Sequence, residues 1–444
     1  MANIFPFQAL RYDTAKTPLA KVVTQPYDKI TPEMQAAYYA RSPYNLVRVI
    51  LGKHEPGDNE NNNVYTRAAA NFHAWRSQKI LVPDLEPSIY FYTQSFKVPG
   101  ENSGTIVERR SFIALGQVED YDKKVVHRHE QTLSKPKADR LNLLRATQAH
   151  FGQIFMLYSD PGSRIENTLR QPGAPTVEVR DEYQVVHRIW KVSDPTVIAQ
   201  TQALMAERKL IIADGHHRYE TALNYRDERR QAGGSHDPNA PYERVMMTFV
   251  NMDSPGLVVL PTHRVVRGLE KFSSAEMVSK LEKYFEADEI GPSATIESVL
   301  GNLRETGKDR TSLLAITATG GFTLRARPNQ ESDYLAGLSE LQRSLDVVQL
   351  HKLVLEEALN MSEEDIRNQI HLKYLRDFRD AFNEVRKGAD VAFVMNPVRM
   401  DQVRDIAFAG GVLPQKSTDF YPKLLTGLTI YSLEHAGHQS VAKG

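Results

Sequence analysis

Asp214, His216, His217 and Arg218 crowd into one stretch, Lys209-Leu-Ile-Ile-Ala-Asp-Gly-His-His-Arg-Tyr-Glu-Thr-Ala-Leu223. A carboxylate, two imidazoles and a guanidinium together can hold a cation, move protons, and grip phosphate or carboxylate through paired hydrogen bonds. The flanking residues say what must position them. Residues 210–213 form a short apolar run of the buried-strand kind. Gly215 permits a tight turn, and Tyr219, Ala222 and Leu223 recur at helical spacing. The polar group therefore sits where a strand turns into a helix. A helix start has unpaired N–H groups and a partial positive charge, so it receives anions. Asp214 is placed to cap that start or to hold a cation, and Gly215, His216, His217 and Arg218 are candidates for phosphate. The plain alternative is a capped turn with exposed polar residues.

Other constellations could carry chemistry. In Lys124-Val-Val-His-Arg-His-Glu-Gln-Thr132, Glu130 is a candidate general base toward a hydroxyl within hydrogen-bond reach. A basic helix over 137–150 carries Lys137, Arg140, Arg145 and His150, and reads first as an amphipathic helix with a charged outer face. Thr262-His263-Arg264 follows an apolar run and is expected at a strand end, where His263 and Arg264 are either a surface pair or further candidates for nucleotide phosphate. Gly410-Gly-Val-Leu-Pro-Gln-Lys-Ser-Thr418 resembles the pattern G-x-x-x-x-G-K-[ST], but Gln415 stands where the second Gly belongs and a helix is expected before it. It is not a Walker loop, though Lys416, Ser417 and Thr418 remain candidate phosphate donors. Asp214, His216, His217 and His263 are metal-competent, so a metal-dependent hydrolase is an alternative, although neither H-E-x-x-H nor H-x-H-x-D occurs.

With 444 residues the chain can form two or three domains. Lys plus Arg equals Asp plus Glu at 55 each, which argues against a dedicated nucleic-acid binder. No cysteine occurs, which removes disulfides, thiol catalysis and cysteine-ligated zinc and fits a reducing cytoplasm. No uncharged apolar stretch approaches the ~18 residues of a membrane span, and the N-terminus lacks a secretory pattern. The expectation is a cytoplasmic protein with no membrane partner; its oligomeric state is not encoded in any pattern.

Three regions follow from the pattern: 1–115, mixed α/β; 116–235, containing both His-Glu and Asp-Gly-His-His-Arg; and 236–444, α/β again. Helices are expected near 31–41, 64–78, 195–207, 274–286, 294–305, 335–344, 349–359 and 376–386. Hairpins are expected over 88–118, with a loop at 99–104, and over 177–192. Residues 231–238 read as a mobile breaker and the last 15 or so as a polar tail. The class is α+β (mixed α/β).

The Asp214-Gly-His-His-Arg218 turn resembles the signature of archaeal-type free serine kinases of the ParB and sulfiredoxin superfamily, and His129-Glu130 resembles their upstream His-Glu element. The resemblance implies a ParB/sulfiredoxin-like core with N-terminal and C-terminal α/β extensions, with Glu130 as catalytic base. It implies nucleotide phosphates on the Asp214 turn, Mg2+ with ADP or ATP, Asp214 as a ligand for that Mg2+, and a small hydroxyl acceptor such as free L-serine. Over its whole length the chain is similar to the bacterial domain-of-unknown-function family numbered 1015. The matching landmarks are Gln25-Pro-Tyr-Asp28, Arg128-His-Glu130 with Lys137 and Asp139-Arg-Leu141, the Asp214 turn, Leu260-Pro-Thr-His-Arg264 and Leu413-Pro-Gln-Lys-Ser-Thr418. That family label carries no activity. The expected function is a nucleotide- and Mg2+-dependent phosphotransferase, with a nucleotide-binding regulatory module without turnover as the alternative from another class.

Overall fold

The structure, a computed structural model, describes residues 1–434 apart from 101–103, 131–134, 234–236, 292 and 329, and the side chains of 135–137 are likewise outside it. The tip of the loop at 99–104, the centre of the breaker at 231–238, the Lys137 side chain and residues 435–444 thus lie outside the described residues. The chain divides into two compact units. The first comprises 1–128, 132–258 and the segment from 422 onward; the second comprises 129–131 and 259–421. The expected boundary near 115 falls inside the strand Ile106–Gln117.

The first unit is built on a nine-stranded mixed sheet. Its order is Val126–Arg128, Leu210–Asp214, Ile154–Tyr158, Arg244–Asn251, Ile106–Gln117, Ile89–Lys97, Val186–Val192 and Val177–Arg180, with Ile4–Phe5 paired to Ile106–Gln117. The central strands are continuous apolar runs because both faces are covered: every residue of Ile154–Tyr158 is buried. On one face Met156, Ile212, Met247 and Phe249 pack with Met205, Tyr219 and Ala222 from the helices Pro195–Ala206 and His216–Gly233. A separate core gathers Phe72 and Trp75 of the helix Val64–Ser77 with Phe151 and Ile430. That helix starts on a reciprocal cap, Asn63 with Thr66, worth about 1 kcal/mol. The expected polar tail is apolar where described: Ile430, Tyr431 and Leu433 are buried, and Tyr431–Ser432 pairs with Ala149–His150.

The second unit holds a six-stranded antiparallel sheet ordered Phe285–Glu289, Gly320–Ala326, Ser312–Thr317, Val391–Met395, His263–Val266 and Leu372–Leu375. Strand alternation sends Leu313 and Ala315 into one core and Leu314 and Ile316 into another, so helices cover both faces. The fold is therefore α+β. Pro261 interrupts the apolar run: Val258–Leu260 ends before it, and His263 and Arg264 open a second strand instead of trailing the first. The helix expected over 274–286 ends at Leu281 because Phe285–Glu289 enters the sheet, and the one expected over 349–359 is a π-helix, Leu350–Ala358.

Candidate functional site

The expected strand-turn-helix exists: Leu210–Asp214, then Gly215, then His216–Gly233. The register against Ile154–Tyr158 shifts between Ile212 and Asp214, a bulge that ends the pairing just where the polar group begins. Gly215 has φ +93°, the left-handed region where a side chain is strained. A Cβ there would also lie 3.0 Å from Arg218 Cζ, because the guanidinium folds back over the turn. Arg218 Nη2 donates to Asp214 Oδ2 at 2.6 Å, and Nη1 donates to the Gln153 carbonyl. Lys423 Nζ stands 3.5 Å from Asp214 Oδ1. Burial alone would raise the Asp214 carboxyl pKa, but Lys423, Arg218, Lys29 and His216 outweigh it and hold the group well below the usual carboxylate range. His216 is buried and His217 half-buried on the first helical turn.

Lys423 is the residue that sequence reading missed. It has no motif around it, and what places it is tertiary. Gln94 Nε2 donates to its carbonyl at 3.0 Å, and buried Arg109 donates to the Pro422 carbonyl at 2.5 Å and to Gln94 Oε1. Arg109 lies over the Phe155 ring at 4.7 Å, and burial lowers its pKa to about 10. This cradle fixes the backbone from which the lysine reaches Asp214.

The other candidates gather in the second unit. Glu130 pairs by an isolated bridge with Leu413, whose N–H donates to the His129 carbonyl at 2.7 Å. Lys416 has φ +57°, so the N–H groups after it turn the same way, and those of Ser417 and Thr418 both donate to Glu130 Oε1, at 2.8 and 3.2 Å. The nest in the 410–418 loop thus holds the chain's own carboxylate. Its Thr418 hydroxyl meets His129 Nε2 at 2.8 Å, and the Ser417 hydroxyl donates to the Pro414 carbonyl.

Arg264 is 1% exposed and spends its guanidinium on protein: the Thr262 carbonyl, the Lys416 carbonyl at 3.1 Å, His351 Nε2 at 3.4 Å, and the Tyr374 ring. Burial lowers its pKa to about 10. Phosphate contact there requires that network to open. His263 is buried, accepts from the Met395 N–H, and is pushed by burial and Arg264 to about 4, hence neutral. Lys416 is exposed. The structure thus brings Asp214, Gly215, His216, His217 and Arg218 together in the first unit, and Glu130, Arg264, Lys416, Ser417 and Thr418 together in the second. Among the described residues, no three His, Asp or Glu side chains are grouped to hold a metal ion, and no helix is long and apolar enough to cross a membrane.

A family model described as "Protein of unknown function (DUF1015)" matches residues 4–348. No curated protein matches the sequence. Among solved structures, a free serine kinase in complex with AMP is similar at 14% identity and TM-score 0.38, covering 76% of this chain and 98% of that one. A mutant free serine kinase in complex with ADP gives the same figures. SbnI with C-terminal truncation from Staphylococcus aureus is similar at 10% identity and TM-score 0.34, covering 74% of this chain and 90% of that one.

Proposed function

We propose that this chain, which belongs to the DUF1015 family, is a nucleotide-dependent phosphotransferase acting on a small hydroxyl compound, with free L-serine the first acceptor to try. The observation that carries the reading is the convergence of two cations, Arg218 and Lys423, on one carboxylate at the start of an 18-residue helix. Such an arrangement is poised for anions: the cations are already held in place, and the helix start adds N–H donors. Phosphoryl transfer asks for little else besides alignment and charge neutralisation.

In the proposed reaction the acceptor hydroxyl oxygen bonds to the terminal phosphorus of ADP or ATP. The bond from that phosphorus to its bridging oxygen breaks, and the nucleotide leaves one phosphate shorter. The hydroxyl proton passes to a general base, the role that the sequence resemblance gives to Glu130, whose own carboxylate is oriented by the Ser417 and Thr418 N–H groups. Arg218, Lys423, His216 and His217 hold the phosphates, and a basin of positive charge offsets their negative charge.

Asp214, as placed, is not a fitting Mg2+ ligand: Oδ2 faces Arg218 and Oδ1 faces Lys423. Any Mg2+ in the reaction would be carried by the nucleotide phosphates.

The test is phosphoserine formation, read by mass spectrometry, from purified protein with Mg2+, L-serine and either ADP or ATP. Turnover that drops ~100-fold or more in Glu130→Gln is expected for loss of a general base. Full turnover in Glu130→Gln would remove Glu130 from that role. Nucleotide binding without any phosphorylated product would instead favour a binding module.

A further inference from the structure

Two landmarks that phosphate handling leaves idle, Gln25-Pro-Tyr-Asp28 and Asp139-Arg-Leu141, meet in the first unit. Pro26, Tyr27, Arg140, Leu144, Phe151 and Arg218 line a pocket there that opens to solvent. The Arg140 guanidinium lies over the Tyr27 ring, 4.1 Å from its centroid. Its edge is committed, donating to the Ile50 carbonyl at 2.7 Å and to Asp139 Oδ2, and Asp139 is held in turn by the Tyr65 hydroxyl at 2.9 Å. The stacked Arg140 and Tyr27 pair is thereby held in place in the pocket lining. Ile50, Leu143 and Val245 add apolar surface to the lining, and Thr426 a hydroxyl.

His150 also lines the pocket, stacked on Tyr431 and pushed by burial to about 4, so it adds a neutral hydrogen-bonding edge and no charge. Arg218 and, one helical turn on, Thr221 line it as well, and Arg218 lies within electrostatic reach of Tyr27. The lining thus offers the stacked Tyr27 and Arg140 pair, which suits a flat uncharged aromatic ring, and Arg218, which suits an anion.

We propose that this pocket is the base subsite, and that it takes the purine of a nucleotide whose phosphates extend onto the Asp214 turn. The proposal rests on reading that turn as a phosphate site. It is independent of whether any phosphoryl group is transferred, so binding is the readout.

Calorimetry on the full chain with ADP, AMP and inorganic pyrophosphate would be compared between wild type and Leu144→Trp, which fills the pocket away from the turn. ADP and AMP are expected to weaken by about tenfold or more, with pyrophosphate within about twofold. Because a tryptophan at a buried helical position could harm folding, wild-type protein would also be photolabelled with 8-azido-ADP and the modified peptides mapped. Labels on peptides containing Tyr27 or residues 140–152 uphold the pocket. Labels confined elsewhere, or ADP binding no tighter than pyrophosphate, overturn it. Absence of both ADP and pyrophosphate binding removes the phosphate reading and this subsite with it. Labelling in the pocket without phosphorylated product keeps the subsite and sinks the phosphotransferase.

Discussion

Asp214→Asn isolates the electrostatics of the turn, because it keeps the side-chain shape and removes only the charge. The carboxylate is 23% exposed, and its partners Arg218 and Lys423 are 13% and 9% exposed, so neither cation is well solvated. At an effective dielectric of 20, two charges 3.5 Å apart attract by roughly 5 kcal/mol gross. Desolvation cancels much of that, but removing one partner of a largely buried pair leaves the others uncompensated, which typically costs ~3–5 kcal/mol. Allowing for partial exposure, the expected loss is about 3 kcal/mol. Both tryptophans, Trp75 and Trp190, lie in the first unit, so urea unfolding followed by tryptophan fluorescence reports on that unit. With a slope of ~2–3 kcal/mol per molar, the midpoint falls by about 1 M.

The pH dependence follows from the depressed pKa. Asp214's contribution is fully present above the ordinary aspartate value of about 4 and is lost as pH falls through its lower folded value. The gap between wild type and Asn should therefore be constant from about pH 5 to 8 and narrow in acid. Added pyrophosphate should recover more stability in the variant, where it replaces the missing charge. Equal midpoints at pH 7, or a gap that persists undiminished in acid, would refute the reasoning.

Lys423→Met keeps the alkyl stem and should weaken pyrophosphate binding about tenfold by calorimetry, with Lys423→Arg retaining most of it. In Gly215→Ala the new Cβ meets Arg218 at a backbone angle unsuited to it, so a loss of ~1–3 kcal/mol and weaker pyrophosphate binding are expected in the same two assays. Glu166 is 4% exposed, and burial pushes it up to about 7, with Arg110 opposing and Asp160 adding. It folds protonated below the ordinary glutamate value of ~4.3, and its penalty grows until pH passes about 7. Glu166→Gln should thus stabilise the protein by about 2–3 kcal/mol at pH 8 and by almost nothing near pH 4.5, as read by denaturation at both.

What could be read from sequence was local. The strand, glycine turn and helix around Asp214 are encoded within one stretch by an apolar run, a φ-permissive residue and 3.6-residue periodicity, and they occur as expected. The hairpin strands Ile89–Lys97 with Ile106–Gln117 and Val177–Arg180 with Val186–Val192 were legible for the same reason. What was hidden depends on partners distant in sequence. Arg264 reads as a surface cation, because arginine is seldom buried alone, and only the carbonyls of Thr262 and Lys416 make its burial tolerable. Lys423 has meaning only once Gln94 and Arg109 hold its backbone. Glu130 could be recognised as a reactive carboxylate, but its seat in the Ser417 and Thr418 nest required the left-handed turn at Lys416.

The order in which the first unit's pieces occur along the chain has a consequence for its biosynthesis. Residues through 258 emerge from the ribosome well before the segment from Pro422 that completes their unit. At ~5–20 residues per second, the intervening stretch takes on the order of ten to thirty seconds to translate. During that interval a nascent chain has its Asp214 turn and its nine sheet strands, but neither Lys423 nor the Pro422 carbonyl that Arg109 binds. The contact between Lys423 and Asp214 is therefore made only after the second unit has been translated, so a chain terminated before residue 423 would carry the turn without that lysine.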